Sequence, residues 1–295
     1  MQVTIYGVRG SVPSPGPSTA RYGGNTVNIA VELADGTHVF LDAGTGVRQL
    51  GKDLRARQVT GPVHFLLSHQ HYDHVIGLPF FEPIYHPDFE LVMYPLEHQR
   101  IEGDRSLAEI FDGIRTPAGI GDLPSKISFV EASSEPWEIG SAHVTRIPLN
   151  HPGGAQGFRI EDADGASLTL LTDNEINPPG TPVSTPERLA EFSRRSGLLI
   201  IDAQYLPEDM PAKHGWGHGT IPEVLELGRM ADPETLLLFH HDPDRSDDAL
   251  DKIGEQAREF ASSQMNRGPV LVAYEGMKFE VGPNSCRQND SGQQG

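Results

Sequence analysis

The chain has 295 residues, with 41 acidic against 23 basic side chains and a formal net charge of −18. That length accommodates one large core or two smaller ones, and 37% hydrophobic with 22% charged residues is an ordinary globular composition, not a disordered one. The acidity weighs against nucleic acid as a partner, because binding a phosphate backbone rests on Lys and Arg. A single cysteine, Cys286, excludes an intramolecular disulfide and a cysteine-built zinc knuckle. The first residues start directly in strand-like sequence, and apolar runs such as 198–201 and 236–239 are far too short to cross a bilayer. The expectation is a cytoplasmic protein without membrane contact.

In chain order, residues 3–6 read as a strand and 9–25 as a loop rich in Gly, Pro and Ser. Strands follow over 27–33, 38–41, 63–67 and 90–94, then a helix over 96–113 and a Gly- and Pro-rich loop over 114–125. Strands at 143–147 and 167–171 precede a helix over 186–196, with Thr185 as its N-cap and Pro186 at its first position. A strand at 198–201 leads to a helix over 220–230, with Ile221, Val224, Leu225 and Leu227 at helical spacing. After a strand at 235–239, a helix over 247–263 carries Leu250, Ile253, Ala257 and Phe260 on one face. Strands at 270–274 and 278–281 end the pattern, and the polar tail 283–295 is expected to be disordered. Strands interleaved with helices indicate an α/β layered fold, expected as one domain over 1–282.

Chemistry concentrates where the strand at 63–67 ends. His69, His71, Asp73 and His74 stand within six positions. A lone His after a strand is ordinarily a solvated turn residue, but this density of ligand-type side chains has no packing rationale. Neutral imidazole and carboxylate suit zinc and related divalent ions. Just beyond a strand, His69 and His71 can reach one ion while Asp73 and His74 reach another. Later strands end in the same way: His151 follows 143–147, Asp173 follows 167–171, and His240 and His241 follow 235–239. Each alone reads as a surface residue. Together they gather at one sheet edge, where α/β sheets bind ligands.

On these residues the chain resembles the metallo-β-lactamase superfamily, whose H-x-H-x-D-H signature stands here as His69, His71, Asp73 and His74. The resemblance implies an αββα four-layer sandwich and two divalent metal ions, Zn2+ in the first place with Mn2+ as the alternative. It implies His69, His71 and His151 on one ion, Asp73, His74 and His240 on the other, and Asp173 bridging. His240 is preferred to His241 because it directly follows the strand, and the choice stays open.

Three more segments resemble the ribonuclease Z and cyclic-phosphodiesterase branch. The opening Tyr6-Gly7-Val8-Arg9-Gly10-Ser11, with Arg21-Tyr22-Gly23-Gly24-Asn25-Thr26, is similar to that branch's start. Leu198-Leu199-Ile200-Ile201-Asp202-Ala203-Gln204-Tyr205 is similar to its L-L-I-H-E-A-T-F run, with Asp202 in place of the Glu. Gly215-Trp216-Gly217-His218-Gly219-Thr220 looks like its G-H-S-T. By this resemblance His218 is a catalytic histidine oriented by Asp202, and Asp73 belongs to the catalytic set. The implied reaction is attack of a metal-held hydroxide on phosphorus, with His218 either stabilising charge on the phosphoryl oxygens or protonating the leaving oxygen.

Charge then separates substrates within the branch. A transfer-RNA enzyme needs a basic docking arm, and the candidate insertions are 79–125 and 203–217. The first carries nine carboxylates against Arg100, Arg105 and Arg115, and the second has Glu208 and Asp209 against Lys213. The expectation is a small phosphodiester substrate, a cyclic nucleotide foremost. A transfer-RNA 3′-processing endoribonuclease and a lactone or thioester hydrolase are the alternatives. The branch implies a homodimer.

Overall fold

Alternating apolar residues shape the first strands, and continuous Leu, Ile and Val runs shape the later ones. The computed structural model describes residues 1–96, 110–114, 116, 118–131, 136–210 and 212–289. In the first half, β1 (Gln2–Gly7), β2 (Asn28–Glu32) and β3 (His38–Leu41) pair antiparallel. Helix α1 (Val47–Ala56) then crosses to β4 (Gly61–Leu66), which lies parallel to β3. After a single turn of helix, α2 (Tyr72–Val75), come β5 (Phe89–Met93) and β6 (Lys126–Phe129), also parallel.

The second half opens with an antiparallel meander of β7 (Trp137–Ile139), β8 (Ala142–Leu149), β9 (Ala155–Asp162) and β10 (Ser167–Leu171). Three helices, α3 (Pro186–Phe192), α4 (Ile221–Ala231) and α5 (Asp247–Gln264), connect β10 to the parallel strands β11 (Leu198–Asp202), β12 (Thr235–Phe239) and β13 (Val270–Val272). The chain then returns as β14 (Lys278–Gly282) and β15 (Ser285–Gln288) to the first sheet. Among the described residues the strand orders are β15-β14-β1-β2-β3-β4-β5-β6 and β13-β12-β11-β10-β9-β8-β7.

The period of two along each strand distributes side chains into three apolar layers. Val3, Ile5, Ile29 and Val31 of the first sheet meet Leu168, Leu170, Ile200 and Phe239 of the second between the sheets. On the outer face of the first sheet, Phe40 and Phe65 pack under Val47, Leu50 and Leu54 of α1. On the outer face of the second, Leu199, Ile201, Leu236 and Leu238 pack under Val224 and Leu227 of α4 and Leu250 and Ile253 of α5. Helix, sheet, sheet and helix therefore stack in the αββα order expected. No helix among the described residues is long and apolar enough to cross a membrane.

Several elements differ from the expectation. The tail expected to be disordered from residue 283 instead forms β15, which pairs Cys286 with Val281 and Gln288 with Phe279. Only its residues 290–295 lie outside the described part. Helix α1 buries Val47, Leu50, Gly51 and Leu54, a plain helical period, but its N-cap is Gly46 with no side-chain cap, so the usual start signal is missing. Strand β9 alternates Phe158 and Ile160 inward with Arg159 and Glu161, hidden behind an uninformative Gln156-Gly157 start. Strands β6 and β7 were likewise unanticipated, and α3 ends at Phe192, short of residue 196. The helix expected over 96–113 falls mostly outside the described residues.

Leu170 is fully buried between the sheets, three residues before Asp173. Leu170→Ala should lower unfolding stability by about 2–5 kcal/mol, measured by denaturant titration with an unchanged slope.

Candidate metal centre

The candidate ligands sit beyond the carboxyl ends of strands, and the two sheets bring those ends together; His218 comes instead from the loop before α4. His69, His71, Asp73 and His74 follow β4, and α2 presents the last two. His151 follows β8, Asp173 follows β10, Asp202 closes β11, and His240 follows β12. The chain leaves its strand sharply at Asp173 (φ 52°), His240 (φ 59°) and Asp42 (φ 58°). Non-glycine residues rarely adopt this left-handed backbone, and Asp, Asn and His adopt it most readily. Gly10 makes room for His240, because a Cβ there would stand 2.5 Å from the imidazole ring.

Three groups of side chains able to hold a metal ion result, and Asp173 belongs to all of them. The first comprises His69, His71, His151 and Asp173, the second Asp73, His74, Asp173 and His240, and the third Asp173, Asp202, His218 and His240. In the first, His71 Nδ1 and His151 Nε2 are 3.0 Å apart, and His69 Nε2 and His151 Nε2 each lie 3.6 Å from Asp173 Oδ2. In the second, His74 Nε2 and His240 Nε2 each lie 3.2 Å from Asp73 Oδ2 and 3.1 Å from Asp173 Oδ1. Ligand atoms placed tetrahedrally at zinc–nitrogen and zinc–oxygen bond lengths stand about 3.3 Å from one another, so the spacing matches. Buried His69 Nε2 and His74 Nε2 have no hydrogen-bond partner, and an unpaired buried nitrogen is costly unless something else binds it. The donor set of imidazole and carboxylate is able to bind a divalent metal.

The electrostatics agree with that reading. Burial holds His69 well below the ordinary histidine range and takes His151 to about 4, so both are neutral and ready as donors. Burial also works against charge on His74 and His240, but Asp173 and Asp73 outweigh it, lifting His74 well above the usual value and His240 to about 9. Burial would likewise raise Asp73 and Asp173, but the surrounding imidazoles dominate and hold both well below the usual carboxylate range. Two buried carboxylates thus demand positive charge at this spot, which protons or a cation can supply.

The next layer aims the ring nitrogens. Asp42 Oδ2 accepts from His74 Nδ1 at 2.8 Å and from Ser68 Oγ at 2.9 Å, and Ser68 Oγ in turn lies 3.0 Å from His69 Nδ1. Both histidines therefore turn Nε2 inward. His151 Nδ1 donates to the Gly217 carbonyl at 3.0 Å. Gly217 has φ 87°, and a Cβ there would stand 2.2 Å from His151 Nδ1, so glycine is required. The buried Glu175 carboxylate accepts the backbone N–H groups of Gly215 and Gly217, each at 3.0 Å, and so anchors that loop. The Ser11 backbone N–H donates to Asp73 Oδ2 at 2.7 Å.

Sequence reasoning missed Asp42 and Glu175. Asp42 carried the same signal as Asp173, an aspartate directly after a strand. Glu175 had none, since its partners are backbone groups 40 and 42 residues away. His241 stands apart from the cluster: its Nε2 donates to the Ala273 carbonyl at 2.8 Å, and burial pushes its pKa down to about 3. Geometry thus places His240, not its neighbour, among the converging donors. His218 lies beside them, its Nδ1 donating to Asp202 Oδ2 at 2.8 Å.

His240→Ala should strip metal from the protein, while His241→Ala keeps it and loses about 1–3 kcal/mol of stability through the orphaned carbonyl. Metal content by plasma mass spectrometry beside a denaturation curve separates the two. Asp42→Ala, which frees the His74 ring, should weaken metal affinity by about 10–100-fold, read by competition with a chromogenic chelator.

Comparison with known proteins gives the same picture. An uncharacterized protein of Mycobacterium leprae (strain TN) is 26% identical over 289 residues, covering 95% of this chain and 89% of that protein. The ribonuclease Z of Haloarcula marismortui is 25% identical over 338 residues, covering 95% of this chain and 97% of that protein. Among solved structures, the metallo-beta-lactamase fold protein YhfI from Bacillus subtilis superposes with a TM-score of 0.66 at 18% identity, covering 95% of this chain and 99% of its own. A family model described as the beta-lactamase superfamily domain matches residues 37–241, from the start of β3 to the end of the metal cluster. With the fold and the cluster in place, the chain belongs to the beta-lactamase superfamily.

Proposed function

We propose that this metal-dependent hydrolase cleaves a small phosphodiester, a cyclic nucleotide foremost, with two divalent ions, zinc in the first place, held by the seven ligands named above. The observation that carries the reading is the His218–Asp202 pair. It sets a group able to transfer a proton beside the seven ligand-type side chains. Bound there, the ions would polarise the phosphoryl group and make water a nucleophile at neutral pH.

The chain's own residues supply the rest. Asp202 Oδ2 accepts a hydrogen bond from His218 Nδ1–H, which leaves Nε2 as the atom that exchanges a proton with the departing oxygen. The His218 ring is held between His240, stacked at 5.1 Å, and His151, at 5.2 Å between centroids. Asp202 is itself fixed by the backbone N–H groups of Asn174, at 3.2 Å, and Gln204, at 3.0 Å. The pair is therefore rigid, and rigidity of this kind is what makes a catalytic group effective.

The likeness to a ribonuclease Z supports phosphoester chemistry. Charge supports a small substrate over RNA. The net charge is −18, and segments 79–125 and 203–217 carry acids where an RNA-docking arm would carry Lys and Arg.

A panel of 2′,3′- and 3′,5′-cyclic nucleotides, bis(p-nitrophenyl) phosphate, precursor transfer RNA and a lactone tests the reading. Turnover is expected on the first two classes; turnover of the lactone alone would overturn it. His218→Ala should keep its metal and lose about 10²–10⁴ in kcat. Loss of metal, or a full rate, would remove His218 from the proton-transfer role.

A further inference from the structure

Large apolar side chains at a protein surface forgo burial, and a rigid one that does so is worth explaining. Trp216 is 55% exposed and Tyr72 is 76% exposed. Each stands one residue from the same row of the metal centre. Tyr72 follows His71, the exposed member of the cluster; Trp216 precedes Gly217, whose carbonyl holds His151. His71 and His151 touch each other at 3.0 Å. Tyr72 in sequence, and Trp216 through the Gly217 carbonyl, therefore adjoin the residues of the cluster that are not fully buried, His71 and His151.

Trp216 is not exposed because its loop is slack. The glycines on both sides of it donate their N–H groups to the buried Glu175 carboxylate. One face of the indole carries the Lys213 ammonium, 4.5 Å from the ring centroid, and that ammonium also lies 5.3 Å from the Tyr205 ring. Tyr205 in turn meets His218 edge-on at 5.4 Å. The indole is thus pinned from one side and from both ends of its peptide, with its remaining surface in water. Lys213 is the only Lys or Arg in segment 203–217 of a strongly acidic chain. A cation on one face leaves the other for a flat, electron-poor partner.

We propose that Trp216 is a stacking platform for the planar base of the substrate. This rests on the phosphodiesterase reading and narrows its substrate class to phosphodiesters that bear an aromatic base. Trp216 is a specificity-determining residue, and the chemistry at phosphorus does not need it.

Two measurements test the proposal separately from the reading it rests on. The first compares kcat/KM for a 2′,3′-cyclic nucleotide with that for a base-free cyclic phosphodiester, glycerol 1,2-cyclic phosphate. Trp216→Leu should lower the first by about 5- to 150-fold, the range that a stacked base is worth, mainly through KM. It should leave the second within about twofold, and Trp216→Phe should restore most of the loss. An equal fall on both substrates, or none on either, overturns the platform while leaving phosphodiester hydrolysis standing. The second measurement works even if no phosphodiester is turned over. The chain has two tryptophans, and Trp137 is only 3% exposed. Adenosine monophosphate should quench the fluorescence of the protein as purified, ribose 5-phosphate should not, and Trp216→Leu should abolish the quench. Equal quenching by both ligands, no quenching, or a quench that survives the substitution overturns the proposal.

Discussion

One buried carboxylate organises this molecule. Asp173 directs Oδ1 at His74 and His240 and Oδ2 at His69 and His151, so each oxygen serves one half of the centre. It can do so only because the turn after β10, in the interior of the second sheet, meets the segment after β4 of the first. The inter-sheet core fixes that meeting: Leu168 and Leu170 point from β10 into the layer shared with Val3, Ile5, Ile29 and Val31. A slip of one residue in β10 would exchange its two faces and carry Asp173 away from the histidines. Packing between the sheets and assembly of the centre are therefore one constraint.

A carboxylate buried this deeply is costly unless it is met by positive charge. Around Asp173 and Asp73 the protein offers imidazoles, and the raised His74 and His240 show how strongly the site calls for a cation. Strain accompanies the charge. Asp42, Asp173 and His240 all hold left-handed backbone, a conformation that persists at functional sites only when neighbouring structure over-determines it. Here the neighbours are strand ends in fixed register, which stabilise the turns that the ligands need.

A second ring of acids supports the first. Asp42 sets the tautomer of His74, Asp202 that of His218, and Glu175 holds the loop whose Gly217 carbonyl sets His151. Part of the large negative charge is thus interior and structural. It is invested in aiming nitrogens, and only the remainder is a surface property that bears on partners. The same ring links the imidazole and carboxylate cluster to the segment carrying Trp216 and His218.

How much of this was legible beforehand follows from distance along the chain. The H-x-H-x-D-H run is local and dense, and the family resemblance it carries implied the αββα order; the Leu-, Ile- and Val-rich strands interleaved with helices indicated by themselves only an α/β layered fold. Asp173 and His240 were legible because each follows a recognisable strand, and Asp202 because its run resembles one of the ribonuclease Z branch. Helix α1 lacked a capping side chain, β9 began in Gln156-Gly157, and β15 looked like a polar tail; their signals lie in what they pair with. Whether His240 or His241 joins the cluster was open in sequence, since adjacent residues leave a strand end in opposite directions. Only tertiary structure decided it, by giving His241 the Ala273 carbonyl and turning His240 to Asp173. Glu175 shows the same limit, since a side chain whose partners are backbone groups forty residues away has no sequence signature. The sequence by itself determined which atoms could bind a metal and which strands would carry them. The packing of two sheets decided which of those atoms meet, because convergence is a property of strand register and not of residue type.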